Sequence, residues 1–167
     1  MKEKEKVIFF NTDTLHETID ILSRIDKAYI QKELDKRFPD ESLSVTNVKL
    51  NKTGKYRKLI NTIRNLPPYV EVVITHPTGK HTETITVWSP LSWNDRFIGT
   101  GGGGTGTGGR NYITVPNNTS RGMTLPKALV NGFTSAMTDA ANTTNEWALD
   151  KETCKLDWER IENWHSR

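Results

Sequence analysis

Eight of the chain's twelve glycines fall between Gly99 and Gly109. Three readings of that run are open. Gly99, Gly101 and Gly104 match G-x-G-x-x-G by letter, but this pyrophosphate-cradling pattern has meaning only where it opens a helix in a βαβ unit, with an acidic residue about 20 positions on. Polar sequence follows here, no acid stands at that spacing, and no Gly-Lys-Ser/Thr completes a P-loop. A flexible Gly/Thr linker is the second reading. It would divide residues 1–98 from 110–167, and neither half looks self-sufficient. The third is an oxyanion loop. Ester hydrolysis places negative charge on the carbonyl oxygen in the transition state, and each fixed backbone N–H aimed at it is worth roughly 10²–10³ in rate. Glycine lets a backbone approach a substrate closely and reach positive φ.

The other residue types capable of chemistry are sparse. His76 and His81 flank Pro77-Thr78-Gly79-Lys80 and are expected to be solvent-exposed; as a metal pair across a hairpin they lack an apparent third ligand. His165, beside Trp164, is expected to be a surface residue. Ser89, Ser92, Ser120 and Ser135 stand in no nucleophile-elbow context. Cys154 is the single cysteine, so neither an intrachain disulfide nor a cysteine metal cluster can form. No cofactor and no metal is implied.

These residues have to be held by elements whose periodicity is readable. Leu15, Ile19, Leu22, Ile25, Tyr29 and Leu34 recur near the helical period, predicting one amphipathic helix over 14–38. Thr14 and Glu17 have capping-box spacing, and Phe38-Pro39 ends the run. Residues 43–50 predict a strand, and the basic stretch 51–66 a solvated loop or helix face. Val70, Val72 and Ile74 alternate, His76 to Lys80 reads as a turn, and Thr82 to Trp88 is β-rich, so a hairpin is expected. Arg96 to Thr100 predicts a short third strand entering the glycine run. Thr124 caps a short helix over Leu125–Asn131, with Gly132 past its end, and Phe133 to Thr138 is a further strand. Residues 154–167 predict a helix. Trp88 and Trp93 are expected to pack around the loop. Trp147, Trp158 and Trp164 are expected to mark a face awaiting partner structure. The βα alternation implies an α/β class with a mixed sheet.

Composition bounds the rest. The 167 residues fit one domain or a piece of a larger one, with a lean 34% apolar content. The net charge of +3 comes from 23 basic and 20 acidic residues of mixed order. No arginine stripe or RNA-binding aromatic motif accompanies the basic pI, so no nucleic-acid partner is expected. No stretch approaches the roughly 18–20 apolar residues of a membrane span, and Val7-Ile8-Phe9-Phe10 is too short for a signal-peptide core.

The flanks of the glycine run bring in a family. Trp88-Ser-Pro-Leu-Ser-Trp93-Asn94-Asp95-Arg96-Phe97-Ile98 followed by the run resembles the tannase/feruloyl esterase family, which carries Trp-Asn-Gly-Arg-Phe and then Gly-Asn-Gly-Gly. Asp95 stands where that family usually has glycine, and Gly102 where it often has asparagine. Phe38-Pro39-Asp40, Leu66-Pro67-Pro68-Tyr69 and Gly132-Phe133-Thr134-Ser135-Ala136-Met137-Thr138-Asp139 resemble further family segments in the same order, as do Trp147-Ala148 and Glu162-Asn163-Trp164. After Asp139 the family tends to Thr-Gly-His, whereas this chain has Ala140-Ala141-Asn142.

The resemblance implies a partial α/β-hydrolase core: an N-terminal helical segment, 1–40, then 41–167 as the N-terminal part of a hydrolase domain that stops before the nucleophile elbow. It implies a serine carboxylic ester hydrolase acting on aromatic acid esters, with Gly102 and Gly103 as candidates for the oxyanion N–H groups. The family's Gly-Cys-Ser-x-Gly-Gly elbow does not occur here, so nucleophile, acid and histidine are expected downstream and this chain alone is expected to be inactive. Family members are often secreted. A stand-alone, non-catalytic module binding phenolic or carbohydrate ligands is the alternative.

Overall fold

The computed structural model describes residues 25–58, 61–63, 65–100, 124–141 and 148–165. Helix α1 (Lys27–Arg37) is followed by β1 (Ser44–Asn51), a small antiparallel pair β2 (Tyr56–Lys58) and β3 (Asn61–Ile63), then β4 (Tyr69–Thr78), β5 (His81–Pro90) and β6 (Phe97–Gly99). Helix α2 (Leu125–Val130), β7 (Thr134–Thr138) and helix α3 (Trp158–His165) complete the described chain. Five strands form one mixed sheet in the order β1–β4–β5–β7–β6, antiparallel except for the β6–β7 pair. Strands with interspersed helices give the α/β class that the alternation implied.

The hairpin is the backbone of the sheet. Thr78 pairs with His81, so only Gly79 and Lys80 form the turn, and β4 runs on through His76 and Pro77. The broader turn expected over 76–80 is therefore shortened. Pro77 is tolerated because β1 ends its pairing at Ser44↔Thr75, so β1 asks no ladder hydrogen bond of the missing N–H. Directly paired residues share a face. One face carries Tyr69, Trp88 and Met137; α2 lays Leu125 and Leu129 on it, and Leu66 closes the cluster. Tyr69 and Trp88 meet with ring centroids 4.7 Å apart, tilted by 36°.

The short helix α2 forms where sequence placed it. Thr124 is extended and its hydroxyl accepts from the Lys127 N–H, Pro126 sits in the first turn where its missing N–H costs nothing, and Gly132 follows at φ 78°. Four expectations are corrected. The helix over 14–38 is not continuous, because Asp26 is extended and caps α1 through its carboxylate on the Tyr29 N–H; Thr14 and Glu17 lie outside the described residues. Helix α1 buries none of its residues and leaves Tyr29 56% exposed, so it is not an apolar stripe on the core. It is tied to β1 by Gln31, which donates to the Leu43 carbonyl and accepts from the Val45 N–H. The basic stretch 51–66 contains the β2–β3 pair rather than a plain loop or helix face. The last helix begins at Trp158, after a turn-rich segment, not at 154. Among the described residues no helix is long and apolar enough to cross a membrane.

Candidate functional site

The approach to the glycine run is a tight turn. Trp93 donates its indole N–H to the Arg96 carbonyl at 2.8 Å, and the Asn94 carboxamide oxygen accepts from the Arg96 N–H at 3.2 Å. Asn94 also ties the turn to the end of α2, through its N–H on the Gly132 carbonyl and its side-chain amide on the Asn131 carbonyl, both at 3.0 Å. This forces Asp95 to φ 61°, a left-handed conformation that an L side chain rarely adopts. Two further such positions follow β7, where Ala140 has φ 48° and Ala141 φ 56°. Aspartate tolerates that region better than alanine. Asp95→Gly and Ala141→Gly together are expected to raise stability by about 1 kcal/mol, relief of strain exceeding the added chain entropy; a urea titration showing an unchanged or lowered midpoint would contradict this.

From this turn β6 runs parallel to β7, and Thr100 closes on the Ala136 carbonyl with both its N–H at 2.8 Å and its hydroxyl at 3.0 Å. The chain thus leaves the sheet at the carboxyl end of a parallel pair, where α/β folds place their ligands. Gly102 and Gly103 lie outside the described residues. Of the tryptophans expected to pack there, Trp88 is fully buried, but Trp93 is 51% exposed. The hydrogen bond to Arg96 pins its ring without covering it. Trp158 is 64% exposed, and Trp147 lies outside the described residues.

The histidines are the larger correction. Neither His76 nor His81 is solvent-exposed: their side chains are 13% and 12% exposed, because each is held between elements by a carboxylate. His76 offers Nδ1 to Glu83 Oε1 at 2.9 Å and Nε2 to Glu41 Oε2 at 3.0 Å. Glu83 is 1% exposed, and its other oxygen accepts from the Thr138 hydroxyl at 3.2 Å. Hydroxyl, carboxylate and imidazole are therefore adjacent, but in the wrong order for nucleophilic catalysis. A triad needs the imidazole against the hydroxyl; here the carboxylate lies between them. The cluster holds the sheet together and does not activate Thr138.

His81 meets Asp157 through Nε2 at 2.9 Å, and Arg160 Nε donates to its Nδ1 at 3.3 Å. Ligand atoms of His81, Asp157 and Glu159 lie within 4.8 Å of one another, which supplies the third metal-ligand candidate that the sequence did not show. The surroundings argue against a cation. Lys80 Nζ and Arg160 Nε each stand 3.7 Å from Asp157 Oδ2, and Glu159 Oε1 already accepts the Lys80 N–H at 2.8 Å. A ligating histidine also needs its second nitrogen to donate, usually to a carbonyl or carboxylate; here that nitrogen faces a guanidinium donor. Burial pushes the Asp157 carboxyl up, but the Arg160 N–H, His81 and Lys80 outweigh it and hold it below the ordinary 3.8. His165 is exposed, as expected.

Glu83, Glu41, Asp157 and Glu159 were not singled out from sequence. For Glu83 a signal existed: a two-residue turn at Gly79-Lys80 pairs residue 76 with residue 83. For Asp157 none did, since it meets His81 from 76 positions away.

Comparison with known proteins now has a geometry to attach to. The chain is similar to an esterase. It is 32% identical over 105 residues to a probable feruloyl esterase of Arthroderma benhamiae, a match covering 59% of this chain and 17% of that protein. This supports a feruloyl-esterase-like relationship. No protein-family profile matches the chain.

Proposed function

We propose that this chain is part of a carboxylic ester hydrolase of the tannase/feruloyl esterase kind, that it carries the oxyanion loop, and that an aromatic acid ester is the substrate of the whole protein. The observation that carries the reading is the path of the chain: antiparallel hairpin, Trp93–Arg96 turn, short strand β6, glycine run, capped helix α2, and β7 returning parallel to β6. In α/β-hydrolases one oxyanion N–H comes from the loop between the third strand and the first helix. Counted from the hairpin, the run from Gly101 stands at that place. The similarity to a probable feruloyl esterase supports the same class of reaction.

In this reading Gly102 and Gly103 supply backbone N–H groups, and the nucleophile, its acid and its histidine come from sequence not on this chain. Thr138 donates to Glu83 and not to an imidazole, so it does not form the hydroxyl–imidazole pair of a serine-type triad, and Ser135 is fully buried.

Two measurements test it. The chain alone is expected not to turn over simple aryl esters such as methyl ferulate; turnover abolished by a serine-directed inhibitor would overturn the proposal. Residues 88–138 exchanged into the matching region of the Arthroderma benhamiae protein are expected to support ester hydrolysis. In that chimaera Gly102→Pro or Gly103→Pro should lower kcat by about 10²–10³, since proline removes the N–H. An active chimaera indifferent to both substitutions would refute the loop assignment.

A further inference from the structure

Residues 148–165 meet the tip of the hairpin through a set of polar contacts. Glu159 accepts the Lys80 N–H, with its carboxylate lying over Gly79 where a Cβ would collide with it. Asp157 faces His81 and Lys80, Lys80 Nζ reaches Asp150 at 3.5 Å, and Asn163 donates to the Thr78 hydroxyl at 3.0 Å. Among the described residues the buried apolar cluster draws none from this segment. Leu149, Leu156 and Trp158 are 43%, 50% and 64% exposed.

The segment is also closed on itself. Leu149 and Leu156 form a bridge, the Asp157 N–H bonds the Ala148 carbonyl, and the Asp150 carboxylate accepts from Glu152 and Thr153 at 3.0 Å each. Asp157 Oδ1 accepts the Arg160 N–H and so caps α3, while Oδ2 turns to the hairpin. The segment thus has hydrogen bonds of its own beside those to the hairpin.

We propose that residues 148–165 form a detachable strap, latched to the β4–β5 tip chiefly through Asp157 and Glu159, that opens while the sheet stays folded. Regions with little buried apolar contact open at lower free energy than the core. The groups facing Asp157 are Lys80 of the turn, His81 of β5 and Arg160 of α3, with Asp150 sharing Lys80. Because the closed strap lowers the Asp157 carboxyl, its contribution is complete above the ordinary carboxylate value and is lost as pH falls below that value, through the lowered one. Opening returns the His81 ring, 12% exposed in the closed form, to solvent.

Hydrogen–deuterium exchange of the full chain at pH 7, read peptide by peptide, tests this. Asp157→Asn keeps a good cap but removes the charge, and Glu159→Gln weakens the acceptor over Gly79. At least one of these is expected to accelerate exchange across 148–165 by about tenfold while β4, β5 and β7 keep their rates. Salt at 1 M, where screening length falls to about 3 Å, should move the wild type in the same direction. If strap and sheet accelerate together, the segment is part of the cooperative unit and the proposal fails. It fails equally if both variants and high salt leave the strap's protection unchanged.

Discussion

Replacing His76 with alanine is expected to lower the stability of the fold by about 1–3 kcal/mol, because it removes the imidazole that bonds the buried Glu83 carboxylate. Glu83 sits at 1% exposure in the second strand of the hairpin, with His76 directly opposite in the first. Both nitrogens of His76 face carboxylate oxygens, at 2.9 and 3.0 Å. The imidazole therefore bridges the two carboxylates, one on β5 and one ahead of β1. Against a typical total stability of about 5–15 kcal/mol the loss is large. The decisive measurement is a double-mutant cycle with Glu83→Gln, followed by urea unfolding. His76→Ala in the Glu83→Gln background should cost less than in the wild type, since a buried carboxylate loses more than an amide when its bonding partner is removed. Equal costs in the two backgrounds would mean that His76 acts by packing alone, and the account through Glu83 would be wrong.

The same pair shows where sequence reading stopped. Alternation of Val70, Val72 and Ile74 against Thr82 to Trp88 was enough for a hairpin, because a half-buried pleated surface demands that period. It was not enough to fix the register. Spreading the turn over His76 to Lys80 put both histidines at an exposed tip, whereas a two-residue turn at Gly79-Lys80 makes His76 face Glu83. A change of turn length moves side chains from loop to ladder. Helix α2 was legible to within a residue because its signals are local: a threonine cap, a proline in the first turn and a glycine after the end. Helix α1 is not legible from the apolar period, because its start is set by the Asp26 cap, which that period does not show. Where a polar side chain bonds its own backbone, it overrides apolar spacing.

For the candidate site the limit was different. The Trp93–Arg96 block and the glycine run stood out by residue type, and the fold puts the block directly before β6. The left-handed backbone at Asp95, Ala140 and Ala141 is visible only as geometry, since neither aspartate nor alanine announces a positive φ. The network around Asp157 could not be read at all, since it joins residues of the hairpin to residues near position 157 by charge, and mixed charge along a chain carries no pairing information.

Trp88→Ala is expected to cost about 3–5 kcal/mol, the range for removing a large aromatic from a packed core. Trp88 is fully buried at the centre of the sheet, between Tyr69 and the α2 leucines. Its indole N–H also donates to Glu71 Oε2 at 2.8 Å, across the β4–β5 ladder. Packing and hydrogen bond can be separated. Trp88→Phe keeps most of the apolar volume but removes the donor, and a hydrogen bond to a charged acceptor contributes about 1.5–3 kcal/mol. A urea midpoint for Trp88→Phe between those of wild type and Trp88→Ala is therefore expected. If phenylalanine were as stable as tryptophan, the Glu71 contact would contribute nothing. If it were as unstable as alanine, the bond to Glu71 and not the packing would hold the residue. The consequence reaches the turn before the glycine run. Leu125 and Leu129 of α2 rest on the Trp88 cluster, and Asn131 and Gly132 at the end of that helix accept the Asn94 side chain and backbone N–H. Loss of Trp88 should loosen the Trp93–Arg96 turn as well as the sheet, and the exchange rates of the Asn94 and Arg96 amides should rise more in Trp88→Ala than in Trp88→Phe.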